Sequence, residues 1–180
     1  MKPPKKIAFV ANSSWNIYNF RLNLIRALIN KGLEVIVIAP VDEYIHYLNK
    51  VPGITHIPLR RLSRNSTNPF RDLILFTELR RIYRQQSPDL IVHYTVKPNI
   101  FGNLAARSCG IPSVCVVTGL GYTFLRQGIV KHITLGLYKF SFQFADRVVF
   151  ENPDDQQLFV SENIAAPEQC TTVNGCGVDT

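Results

Sequence analysis

Three short polar segments carry the side chains that could do chemistry in this sequence. The first, Asn12-Ser13-Ser14-Trp15-Asn16-Ile17-Tyr18-Asn19-Phe20-Arg21, offers amides, hydroxyls and a guanidinium at the start of an amphipathic stretch. The second, His93-Tyr94-Thr95-Val96-Lys97-Pro98-Asn99, sets a cation and an amide at the entrance of another. The third, Thr118-Gly119-Leu120-Gly121-Tyr122-Thr123-Phe124, holds two glycines that free the backbone for tight turning or close approach to a ligand. Amides, hydroxyls and isolated cations are groups that hold sugars and phosphates.

Each has a structural reading beside the chemical one. Ser14 or Asn16 is a helix N-cap or a ligand contact. Lys97 is a solvated surface lysine, or it stands at a helix N-terminus because an anion sits between them, since a cation alone opposes the helix dipole there. His93, at a strand end, is a hydrogen-bonded core histidine or a ligand contact. The run Gly119-Leu120-Gly121-Tyr122-Thr123-Phe124 imitates half of a dinucleotide fingerprint but lacks its third glycine, and no glycine precedes Gly32, which counts heavily against a dinucleotide cofactor on the first turn and disfavours an NAD-dependent oxidoreductase. No Asp-x-Asp, no clustered Cys/His spacing and no Gly-x-Ser-x-Gly occurs, so neither a metal ion, a cofactor nor a serine hydrolase is indicated.

The elements that must position these segments are short apolar runs separated by helical periodicity. Ile7 to Ala11, Val35 to Ala39, Leu90 to His93, Val114 to Thr118 and Val148 to Phe150 read as buried strands, joined by shorter ones near Ile54 to Leu59 and Thr171 to Val173. Ile17, Phe20, Leu24, Ile25 and Leu28 share one helical face, with Gly32 as the stop. Asn68-Pro69 and Asn152-Pro153 pair an N-cap with proline at the first helical position, and Gly110 with Pro112 closes a helix beginning near Pro98. The sequence predicts a doubly wound, mostly parallel α/β sheet of six or seven strands, with ligands beyond the carboxyl ends of its strands.

The chain has 180 residues with 46% hydrophobic and 18% charged residues, the balance of a folded domain. Its net charge of +7 is unevenly spread, because every lysine and arginine precedes Glu151. Such a field draws phosphate-rich partners. Arg60 to Arg84 reads as a basic amphipathic helix with Phe70, Leu73, Ile74, Leu79 and Ile82 as its apolar face, suited either to packing or to an anionic membrane surface. No aromatic-laced basic motif suggests nucleic acid. The apolar run after the basic N-terminus stops at Asn12, too soon for a secretory signal, so a cytoplasmic location with reduced cysteines is expected.

Taken in order, Asn12 to Arg21, Ala39-Pro40-Val41-Asp42, Pro88-Asp89 leading to His93 to Asn99, Thr118 to Phe124 and Phe150-Glu151-Asn152-Pro153-Asp154-Asp155 resemble the family 4 glycosyltransferases of the two-Rossmann-domain (GT-B) architecture. The match is nearest to the bacterial subgroup acting on undecaprenyl-diphosphate-linked intermediates. The resemblance implies that residues 1–174 are the acceptor-side domain and that 175–180 begin the hinge to a donor-binding domain absent from this chain. It implies retaining transfer of an N-acetylhexosamine-type sugar from a UDP-sugar to a lipid-linked acceptor, without a metal, peripheral to the cytoplasmic membrane face. Asn12, Ser13, Ser14, Trp15, Asn16, Arg21, His93, Lys97, Asn99, Gly121, Tyr122 and Asn152 would meet the acceptor. Thr118 or the backbone of Gly119 takes the place where many relatives carry a histidine facing the reacting sugar. The competing readings are a non-catalytic basic module that docks on membrane or a partner, and a sugar-nucleotide 2-epimerase of the same architecture.

Overall fold

The structure is a computed structural model that describes residues 3–63, 68–119, 129–173 and 175. Seven strands form one sheet: β1 (Lys6–Val10), β2 (Glu34–Ala39), β3 (Ile54–Pro58), β4 (Leu90–Tyr94), β5 (Ser113–Val117), β6 (Arg147–Phe150) and β7 (Cys170–Thr172). Their order is β3-β2-β1-β4-β5-β6-β7, and every neighbouring pair is parallel. The chain winds outward from β1 in one direction and then, from β4, in the other, so the order reverses between β1 and β4.

Right-handed crossovers then fix which face each helix covers. α1 (Ser14–Phe20), α2 (Leu22–Asn30) and α3 (Ile45–Leu48) pack on Ile7, Phe9, Val35 and Val37. α4 (Pro69–Gln86) and α5 (Asn103–Cys109) pack on the alternate residues Ala8, Val10, Ile36 and Ile38. α6 (Ile129–Phe142) and α7 (Pro153–Ser161) continue that face over Cys115, Val117, Val148 and Phe150, where Tyr138 meets Phe142 and Phe159 edge to face. The period of two along each strand sorts its side chains between the layers.

The caps read from the sequence are in place: Asn68 accepts from the Phe70 amide, Asn152 from the Asp155 amide, and Gly110 closes α5 in the left-handed region. Three expectations are corrected. The periodic stretch from Ile17 to Leu28 is two helices, because Arg21 leaves helical geometry at φ −123° and ψ −8° and serves as the cap of both. Ser13, rather than Ser14 or Asn16, is the N-cap of α1, accepting from the Asn16 amide. The apolar residues of α4 divide between two faces: Leu75, Leu79, Ile82 and Tyr83 are buried, whereas Phe70 and Leu73 are 76% and 60% exposed.

The segment after β4 enters α5 through a π-turn, Pro98–Gly102. Widening the turn frees the carbonyls of Asn99 and Ile100, and both accept from the Ser141 hydroxyl of α6 at 3.1 and 3.0 Å. Asn103 donates to Ser141 and accepts from Ser113, while Asn99 donates to the Val116 carbonyl. This buried polar ladder fixes the β4 loop against β5 and α6.

Candidate acceptor site

The loops after β1 and β4 face each other across the point where the strand order reverses, the position at which open α/β sheets bind ligands. Residues 12–16 line one side, 95–97 the other, with 118–119 and 151–152 following on the next strands.

On the β1 side, Ser14 donates to the Pro40 carbonyl at 2.8 Å and the Trp15 amide to the Asp42 carboxylate at 3.0 Å, so the loop is braced from β2. Ser13 and Ser14 are buried and spend their hydroxyls on the fold, whereas Asn12 and Asn16 are half-buried and Trp15 is exposed. The buried side-chain oxygen of Asn16 has no partner. Arg21 is only 6% exposed at its side chain. It pairs with Glu151 at 2.7 Å and its guanidinium lies 4.4 Å from the centre of the Tyr94 ring. It thus joins the α1–α2 junction to the ends of β4 and β6, and reaches a ligand only by giving up that pair.

On the β4 side, Thr95 has φ 71°, a left-handed conformation that a β-branched residue adopts at a cost. Its buried hydroxyl has no partner. Lys97 pairs with Asp72 of α4 at 2.5 Å, both side chains being 15% exposed. A carboxylate of the domain itself therefore stands beside Lys97, in the place where the sequence suggests a bound anion. Asn99 is buried in the ladder described above. His93 is inaccessible, with its Nε2 3.0 Å from the Tyr83 hydroxyl and its ring against Gly102, where a Cβ would come within 2.6 Å of it. Burial pushes its pKa down to about 3. The expected acceptor contact at His93 is thus corrected to a neutral core histidine, while the Ser14 hydroxyl and the Asn99 side-chain nitrogen are held by the Pro40 and Val116 carbonyls.

Thr118 and Gly119 follow β5, half-buried, and Gly119 needs its residue type for its φ of 124° rather than for space, since a Cβ there would meet nothing within 4 Å. Asn152 caps α7 through its side-chain oxygen and donates from its nitrogen to Asp155 at 2.8 Å. Gly121 and Tyr122 lie outside the described residues. Further along the same rim, a groove of about 420 Å³ between the ends of β2 and β3 is lined by Pro40, Val41, Pro58, Leu59, Arg60 and Leu62, with a single cation and no nucleophile. The residues the sequence reading missed are Thr95, Asp72 and Glu151. Only Glu151 could have been singled out, as the first acid after a strand end.

No group of three or more His, Cys, Asp or Glu side chains among the described residues is placed to hold a metal ion. The described residues of the site offer an arginine and a lysine already paired, the buried, unpartnered oxygens of Asn16 and Thr95, and a glycine backbone. Such groups are suited to polar and anionic ligands.

A parallel, doubly wound sheet with polar loops at its switch point is a Rossmann-like α/β arrangement. The family model for glycosyl transferase 4-like proteins matches residues 6–152, and this chain belongs to that family. Over 158 residues it is 36% identical to the N,N'-diacetylbacillosaminyl-diphospho-undecaprenol alpha-1,3-N-acetylgalactosaminyltransferase of Campylobacter jejuni, covering 85% of this chain and 42% of that protein. Among solved structures, it is similar to a glycosyltransferase from Rickettsia africae (TM-score 0.68, 17% identity, 93% of this chain and 42% of that one). It is equally similar to the UDP-GlcNAc 2-epimerase of Methanocaldococcus jannaschii (TM-score 0.66, 16% identity, 93% and 45%). The chain spans less than half the length of each. Because a transferase and an epimerase share this fold, the fold alone does not choose between them.

Proposed function

We propose that this chain is the acceptor-side half of a retaining glycosyltransferase that moves an N-acetylhexosamine-type sugar from a UDP-sugar to a lipid-diphosphate-linked acceptor. The carrying observation is the 36% identity, over 85% of the chain, to a transferase whose name gives it a diphospho-undecaprenol acceptor. The 2-epimerase reading rests on fold likeness at 16% identity and has no such support.

In this reading the acceptor enters the gap between the loops after β1 and β4. Asn12 and Asn16 orient its sugar, Lys97 meets its diphosphate, and Thr118 and the Gly119 backbone face the reacting carbon. The UDP-sugar is held by a donor half not contained in these 180 residues, so the chain by itself is inactive. The test joins this chain to the donor half of the Campylobacter relative and assays transfer from UDP-N-acetylhexosamines to the lipid-linked acceptor. Transfer that disappears with Lys97→Ala supports the reading, and a chimera that folds but uses only water-soluble acceptors defeats it. The isolated chain should bind UDP-sugar weakly, and a micromolar dissociation constant, about 8 kcal/mol, would place the donor site here instead.

The outer face of α4 supports a peripheral membrane location. Phe70, Leu73 and Ile74 stand exposed on its first two turns, and Arg81 and Arg84 continue the same stripe. Exposed apolar residues beside cations suit insertion into an anionic bilayer surface. Among the described residues no helix is long and apolar enough to cross a membrane. Leu73→Ser with Arg81→Ser should weaken binding to anionic vesicles, most clearly at low salt where the exposed charges are least screened, while neutral vesicles stay unbound throughout.

A further inference from the structure

The geometry points to Asp72 as a built-in counter-ion that competes with the acceptor's diphosphate for Lys97 and so sets a charge threshold for binding. The inference rests on the reading above that Lys97 meets a diphosphate.

Lys97 projects from the turn after β4, and Asp72 from the first turn of α4, 25 residues away in sequence. Only the third dimension brings them together, at 2.5 Å with both side chains largely covered. Asp72 has an ordinary reason to be where it is, since a carboxylate in the first turn of a helix is favoured by the helix dipole. That reason does not require it to face inward. On the same two turns Phe70, Leu73 and Ile74 point to solvent, while the carboxylate is turned under the helix onto the lysine.

Two consequences of such a contact oppose each other. By holding the lysine in one rotamer, Asp72 would prepare it for a ligand and strengthen binding. By cancelling its charge, and repelling any second anion brought close, Asp72 would weaken binding. The first effect is bounded by the side-chain entropy of one lysine. The second is a full unit charge within hydrogen-bonding distance in a partly desolvated site, which is larger. Neutralisation wins, so Asp72 lowers affinity for every anion at Lys97. An anion held by this one contact is then rejected, and a diphosphate that makes further contacts across the gap is retained. The Thr95 hydroxyl, buried without a partner, can donate one such further contact to a diphosphate, whereas the Asn16 side-chain oxygen only accepts.

The test measures binding of inorganic pyrophosphate, a prenyl diphosphate and UDP to the 180-residue chain by calorimetry at fixed ionic strength. Asp72→Asn should tighten pyrophosphate and prenyl diphosphate about tenfold, or about 1.4 kcal/mol. The gain should vanish when Asp72→Asn is made on a Lys97→Met background, with thermal melts showing both variants folded. Unchanged or weaker binding by folded Asp72→Asn overturns the inference, because the carboxylate is then neutral or a positioning group. Equal tightening on the Lys97→Met background overturns it too, since the effect is then one of net charge. Tightening confined to UDP assigns the site to a nucleotide and removes the lipid acceptor from it. If Asp72→Asn tightens pyrophosphate as expected while Lys97→Ala leaves transfer by the chimera intact, the counter-ion stands and the role of Lys97 in the reaction falls.

Discussion

The two ends of the sheet are built to different standards. At the amino edge the Asp89 carboxylate accepts from the Lys5 and Lys6 amides at 2.8 and 2.9 Å, and Asp146 accepts from the Ser113 amide at 2.8 Å. Each of these aspartates ties a strand start to a neighbouring loop. At the carboxyl edge Thr95 is held in a left-handed conformation, and the Thr95 hydroxyl, the Asn16 side-chain oxygen and the Arg21 Nε are buried without partners. Buried polar atoms are nearly always paired, so these unpaired ones leave the carboxyl edge less completely satisfied than the amino edge.

The largest test of that contrast is Arg21→Met. It leaves the Glu151 carboxylate, 15% exposed, without its counter-charge, and unfolding free energy should fall by about 3–5 kcal/mol. Adding Glu151→Gln should recover most of it in a double-mutant cycle read by urea melts. If Arg21→Met costs less than about 1 kcal/mol, the pair is not what fastens the carboxyl edge.

Next comes pH. His93 has a folded pKa near 3, below the ordinary histidine value, so the unfolded chain takes up this proton more readily than the folded one. Stability from this source is complete above the ordinary histidine range and is lost as pH falls from there toward 3, amounting to a few kcal/mol at the low end. His93→Phe should flatten that part of the stability–pH curve, even where packing loss lowers it overall. An unchanged slope between pH 6.5 and 4 would show that His93 is not the titrating group.

At the amino edge, Asp89→Ala should cost about 1–3 kcal/mol, by removing an acceptor from two amides, and leave pyrophosphate binding unchanged. The smallest effect is expected at Thr95, where Asn tolerates a left-handed backbone. Thr95→Asn should raise stability by roughly 0.5–1 kcal/mol while weakening acceptor binding. A gain in both would mean that the strain serves nothing.

The sheet was legible because strand and helix signals are local. Val35 to Ala39 reads as a buried strand without reference to any other residue, and Asn68-Pro69 declares a helix start by itself. The site was legible only as loops. That Lys97 is already paired depends on Asp72, and that Arg21 is locked depends on Glu151, 130 positions away, and neither partner announces itself. His93 misled because a histidine at a strand end looks the same whether its ring faces the cleft or the core, and the close approach of Gly102 that settles the matter is a contact between layers. In α4 the periodic apolar count was correct but its single face was not: Phe70, Leu73 and Ile74 lie outside and Leu75, Leu79 and Ile82 inside, two surfaces that a list of apolar residues merges.

The position of the first strand bears on how such a chain comes off the ribosome. β1 is synthesised first but lies in the middle of the sheet, and although β2 can pair with it early, its other edge waits for β4, where Ile7 meets Leu90. Until then the nascent three-stranded unit β3-β2-β1 presents a long, apolar, unprotected edge, the kind that recruits other strands. Rare codons that slow translation between β3 and β4 should therefore raise aggregation more than the same delay placed after β5, when both edges of β1 are already closed.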